Sequence, residues 1–100
     1  MAIQKETARQ AIDDYVRGCG GVYSDWYVGI AADPRERLFT DHNVDEKKGH
    51  WVFQRCADSV IARELERYFT NTLGANGGPG GGDHTTTYIY AYKITSSTKE

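Results

Sequence analysis

The chain has little that would staple or anchor it. Among its 100 residues there are two cysteines, Cys19 and Cys56, and they form no CxxC or Cys/His zinc spacing. That excludes a zinc ribbon and a disulfide-dense scaffold, and two reduced thiols are expected. No apolar run approaches the ~20 residues of a membrane-spanning helix. The opening stretch MAIQKETARQ lacks the apolar segment of a secretory signal, so a cytoplasmic protein with no membrane partner is expected. An excess of positive charge is also missing. The formal charge is -2 and the pI about 5.9, so any contact with phosphates must come from a local patch. Arg35, Arg37, Lys47, Lys48, Arg63 and Arg67 are the residues available for one.

What is present is ordinary for a folded domain. Apolar residues make up 39% and charged residues 26%, which argues against disorder. One hundred residues suffice for a single domain with its own core, since staples become near-essential only below about 40.

The most informative stretch is Trp26 to Leu38, WYVGIAADPRERL. Trp26, Tyr27, Val28 and Ile30 favour a half-buried strand. Gly29 interrupts it, which marks a bulge or a close approach by a ligand or another backbone. Asp33 then offers an N-cap oxygen, Pro34 suits the first helical position, and Glu36 sits where a capping box needs it. Tyr27 is thereby placed on a strand and Arg37 one turn into a helix.

Before this stretch, Ala8, Ala11, Ile12, Tyr15 and Val16 recur at helical spacing and predict a helix over 4–17, ended by Gly18, Gly20 and Gly21. After it, DHNVDEKKGH reads as a polar loop, with His42 a solvated residue on exposure habits alone. WVFQRC alternates as a strand over 51–56, with Trp51, Phe53 and Arg55 on one face. Asp58 or Ser59 caps a helix over 59–73, on which Glu66 falls at the edge of the apolar arc. A carboxylate there needs a cation or a metal. LGANGGPGGGD lacks a P-loop lysine and a dinucleotide fingerprint, and reads as a close-packed loop that lets backbone approach the sheet or a ligand. The last strand spans 86–94, with Tyr88, Tyr90 and Tyr92 on a face that covers a helix. The expected fold class is α+β: a small three- to four-stranded, mainly antiparallel sheet flanked by helices over 4–17, 34–41 and 59–73.

From Tyr27 onward the motifs resemble the GIY-YIG nuclease superfamily. Tyr27-Val28-Gly29, then Arg37 and Leu38, is similar to the second half of that signature. A short strand near Trp51 and a helix carrying ARELE follow in the same order. The resemblance covers Val22 to Tyr92. It implies a metal-dependent endonuclease with Mg²⁺ (or Mn²⁺) on Glu66, Arg37 on the scissile phosphate and Tyr27 on the attacking water. Nucleic acid is the implied partner, DNA ahead of RNA, with a second copy of the chain or a targeting partner alongside. Arg35, Gly29 and Asn76 are the candidate substrate contacts, Asn76 standing for the late asparagine of the family. The family's Arg is often followed four residues later by His or Tyr. Here Asp41 takes that place, and His42 is the nearest candidate.

The first half of the signature departs from the family. Its tyrosine normally precedes the second by about ten residues on a separate strand. Here the nearest equivalent is Gly21-Val22-Tyr23, four residues before Tyr27. Either Ser24-Asp25 is a two-residue hairpin turn, or Tyr23 is not that tyrosine. Two further readings stand beside the nuclease. One is a non-catalytic module of the same fold that binds a protein or a small phosphorylated ligand. The other is a buried structural ion pair between Arg37 and Glu66.

Overall fold

The computed structural model describes residues 5–77 and 84–99. The glycine-rich segment expected to pack against the sheet falls largely at 78–83, outside the described residues. Helix α1 runs Lys5–Gly18, strand β1 Trp26–Ala31, strand β2 Trp51–Arg55, helix α2 Ser59–Arg67 and strand β3 Tyr88–Lys93. A wide π-type helical segment spans Glu36–Asp41, and a second, Tyr68–Thr72, continues α2. The fold is α+β. Two helix starts carry a capping side chain: the Asp58 carboxylate accepts from Ile61 N at 2.9 Å, and that of Asp33 from Glu36 N at 3.2 Å.

The sheet has the order β1-β3-β2, and both pairings are antiparallel. The last strand in sequence is therefore the central one. Trp26 pairs with Lys93, Tyr27 with Tyr92, and Gly29 with Tyr90. The one-to-one register shows that Gly29 makes no bulge. The outer edge of β1 is covered by Asn76: Val28 N donates to Asn76 O and Asn76 N to Trp26 O, each at 2.8 Å. An edge strand of this composition would otherwise offer unpaired amides.

Alternation along the strands separates two cores. Trp26, Val28, Ile30, Ile89 and Ala91 face α1 and α2, where Ala8, Ile12, Val16, Leu65 and Phe69 meet them. Fully burying a side chain of this size stabilises the fold by about 1.5–3 kcal/mol. The opposite face carries Tyr27, Tyr90, Tyr92, Trp51 and Phe53, and is packed by Leu38, Phe39 and Val44. So the tyrosine face does cover a helical segment, the short one at 36–41.

The chain before β1 differs from expectation. No strand forms at 22–25. Tyr23–Asp25 is a single 3₁₀ turn, so Ser24-Asp25 is not a hairpin turn. The reason is Tyr23, whose hydroxyl donates to the Asp13 carboxylate at 2.6 Å and whose ring stacks on Phe69 at 5.8 Å. It is drawn into the helix-side core, and the strand that pairs with β1 comes instead from the far end of the chain. Arg17 donates to the same carboxylate at 2.8 Å. Burial alone would raise the Asp13 pKa, but the bonds from Tyr23 and Arg17 outweigh it and hold the carboxyl below its ordinary value.

This triad makes a prediction. Asp13→Ala leaves the buried Tyr23 hydroxyl without its acceptor and is expected to cost about 1–3 kcal/mol at pH 7. A carboxylate with a lowered folded pKa stabilises above its unfolded pKa, about 3.9, and that contribution fades as pH falls through the folded value. Urea melts at pH 7 and at pH 3 should therefore show a gap between wild type and variant that narrows in acid. A gap that widens in acid would contradict the assignment.

Candidate functional site

The candidate site lies on the aromatic face, where β1 and β3 bring together residues from three parts of the chain. Tyr27, half-buried, stacks on Tyr92 at 5.3 Å and lies 6.4 Å from the ring of Tyr90. The His42 ring packs against Tyr27 at 4.7 Å and against Tyr92 at 4.8 Å. Its Nε2 lies 2.8 Å from the Tyr90 hydroxyl. Such ring pairs stabilise by about 0.5–1.5 kcal/mol each beyond their burial.

Gly29 makes the cluster possible. A Cβ at that position would lie 2.5 Å from the Tyr90 hydroxyl oxygen and 2.6 Å from the ring carbon that bears it. The phenol therefore occupies the volume that any other residue would fill. Of the two readings of Gly29, a bulge and a close approach by backbone or ligand, neither is met as stated: the group that approaches is the Tyr90 side chain.

Tyr90 is buried, 3% exposed. Burial first pushes its phenol pKa up, and neighbouring Tyr27, Tyr92 and Glu66 push in the same direction, while Arg37 opposes them. The ion pair between Arg37 and Glu66 that stood as the third reading does not form. Arg37 is exposed and pairs with Asp41 at 3.6 Å, across one helical turn.

Glu66 is 9% exposed, and none of the ion pairs among the described residues includes it. Burial pushes its carboxyl pKa up, and the charges of Arg63 and Arg67 pull it partly back. Beside it is a polar cleft of about 360 Å³ lined by Glu66, Arg67, Thr70, Asn71, Ala75 and Gly77. Tyr27 and Arg37 are not in that lining.

The described residues hold no group of three or more His, Cys, Asp or Glu placed to share a metal. A zinc-type site with three protein ligands therefore does not fit among them. A single carboxylate, partly desolvated and in no ion pair among the described residues, fits Mg²⁺ or Mn²⁺. These ions keep most of their shell as water and phosphate oxygens.

Several sequence candidates stand elsewhere. Tyr23 belongs to the other core and has its hydroxyl on Asp13, so it does not reach Tyr27. Asn76 directs its side-chain amide to Ser24 O and Trp26 O, at 2.9 and 3.1 Å, which secures the sheet edge. The Arg35 guanidinium sits over Phe39, Trp51 and Phe53 at 5.7–5.8 Å and pairs with Glu46 at 3.2 Å. His42 is not a solvated loop residue: it is 6% exposed, with both ring nitrogens engaged.

Tyr90 and Tyr92 are the site residues that motif reading missed. Their signal was present in the alternation of Tyr88, Tyr90 and Tyr92 opposite the Tyr27 strand. Cys19 and Cys56 are both free thiols, as expected.

No family model, curated protein or solved structure matches the chain. The geometry of the site therefore carries the functional argument. No described helix is long and apolar enough to cross a membrane.

Proposed function

We propose that this chain is a GIY-YIG-like, metal-dependent endonuclease domain that hydrolyses nucleic-acid phosphodiesters, DNA ahead of RNA, in the cytoplasm. The observation that carries the reading is the Tyr90 hydroxyl. It lies 2.8 Å from His42 Nε2, fills the space over Gly29 and shares its face with Tyr27. The tyrosine that the resemblance expects ahead of Tyr27 is then Tyr90. It arrives on the strand paired with β1 from the other end of the chain, so the motif halves are permuted. Tyr23 drops out of the active group.

In this reading water attacks phosphorus, and the bond from phosphorus to the leaving oxygen breaks. Arg37, exposed at the rim, holds the phosphate with its fork of donors. Tyr27, the half-buried member of the cluster, orients the attacking water. Tyr90 and His42 keep Tyr27 in place from beneath. Glu66 would hold Mg²⁺ or Mn²⁺, which supplies charge neutralisation at the phosphate when bound. A second copy of the chain or a targeting partner would place the site on its substrate.

A second reading is favoured by one observation. The cleft beside Glu66 is lined without Tyr27 and Arg37, as suits a non-catalytic module that binds a small phosphorylated ligand. Incubation with plasmid and single-stranded substrates, with and without Mg²⁺ or Mn²⁺, separates the two. Cation-dependent nicking is expected from the nuclease. Binding of nucleotides with no cleavage under any cation would leave the module.

A further inference from the structure

We propose that residues 95–99 act as a strap that positions His42 through the backbone of Lys99, and through His42 the tyrosines of the site. The proposal rests on the nuclease reading for its catalytic consequence only. The strap is built from several bonds. Lys99 N donates to His42 O at 2.7 Å, and the side-chain amide of Asn43 donates to Ser97 O at 3.0 Å. A turn closed by Thr95 and Thr98 shapes it: Thr95 N donates to the Thr98 hydroxyl, and that hydroxyl to Thr95 O, each at 3.0 Å. Asn43 adopts a φ of 57°, a left-handed conformation that asparagine tolerates better than most residues.

The decisive contact is His42 Nδ1 to Lys99 O at 2.6 Å. A carbonyl oxygen only accepts, so Nδ1 must carry the hydrogen. The Tyr92 hydroxyl, which donates to the same carbonyl at 3.2 Å, lies 3.1 Å from Nδ1 and fits beside that arrangement. In the neutral ring the hydrogen therefore sits on Nδ1. Its Nε2 is left as an acceptor, and the Tyr90 O–H at 2.8 Å donates to it.

The strap thus fixes which way the Tyr90 hydrogen points. It also fixes the ring on which Tyr27 packs at 4.7 Å. If the strap is lost, the ring can rotate or change tautomer. An Nε2–H would then face the Tyr90 hydroxyl, and the phenol would have to turn its hydrogen elsewhere. His42 and the Lys99 carbonyl are positioning groups, since neither faces the substrate.

The test uses Lys99→Pro, which removes the N–H bonded to His42 O, and Lys99→Ala, which keeps every backbone contact. The first readout is ¹⁵N NMR of the His42 ring without substrate. Wild type and Lys99→Ala should show protonated Nδ1 and bare Nε2, and Lys99→Pro should show a mixture. In cleavage, Lys99→Pro is expected to lower kcat about 10²-fold at nearly unchanged KM, as misplaced reacting groups do, and Lys99→Ala to leave it unaltered.

Should Lys99→Pro fail to fold, Asn43→Gly is read in the same way. It cuts the tether to Ser97 while accepting the left-handed φ. The same ring spectrum in strap variants and wild type, or protonated Nε2 in wild type, would overturn the proposal. Absence of cleavage by the wild type would instead overturn the nuclease reading, and the ring spectrum would still decide the strap.

Discussion

Glu66→Gln is expected to abolish cation-dependent cleavage and to leave the melting temperature unchanged or slightly raised. The two halves of that result have separate causes. The carboxylate supplies the charge that a divalent cation needs, and the neutral amide does not. On the stability side, burial raises the Glu66 pKa, so its charged form is the disfavoured one in the folded state. A raised carboxylate weakens folding as pH rises from the unfolded pKa through the folded one, because the unfolded chain loses its proton first. At neutral pH the amide removes that burden.

No ion pair among the described residues is lost with it. A structural pair with Arg37 would have given the opposite sign, about 3 kcal/mol of destabilisation, and the observed geometry already removes that case. Thermal melts with and without Mg²⁺, run beside the cleavage assay, check both halves. A variant that still cleaves would remove Glu66 from the site.

Arg37→Ala is expected to lower cleavage on the order of 10²-fold or more with little change in stability. The loss is that of a forked donor from the phosphate as charge builds on it. Little stability is at stake, because the Arg37–Asp41 contact spans 3.6 Å between two exposed side chains. Exposed pairs of this kind contribute about 0–1 kcal/mol. Arg37→Lys should recover only part of the rate, since an ammonium keeps the charge and loses the planar fork. Single-turnover rates at saturating substrate make the comparison. Equal rates for Arg37→Ala and wild type would place the phosphate elsewhere, with the cleft at Arg67 the next location to examine.

The parts of the fold that depend on near neighbours were legible in the chain. The amphipathic stripe of α1 runs through Ala8, Ile12 and Val16, and all three are fully buried. The Asp33 and Asp58 caps hold the helix starts that their sequence contexts required. Alternation in WVFQR and YIYAYK assigned each side chain to its face, because a strand has a period of two wherever it pairs. Glu66 was found at the boundary of its helix arc for the same kind of reason: helical phase is a local property.

The composition of the site was not legible, because it depends on pairings between distant segments. Nothing near Tyr23 in sequence discloses that Asp13, one helix away, takes its hydroxyl and turns it into the other core. Nothing near His42 discloses that Tyr90, 48 residues later, and the Lys99 carbonyl, 57 residues later, enclose its ring.

The sequence by itself determined that Tyr27 lies on a strand, that Gly29 marks a bulge or a close approach, and that Glu66 borders a core. Only the tertiary structure decided what approaches Gly29, and which tyrosine stands beside Tyr27. Those outcomes follow from the register of β3 between β1 and β2. Register is set by burial of both sheet faces at once, a condition on the whole chain that no single stretch of it expresses.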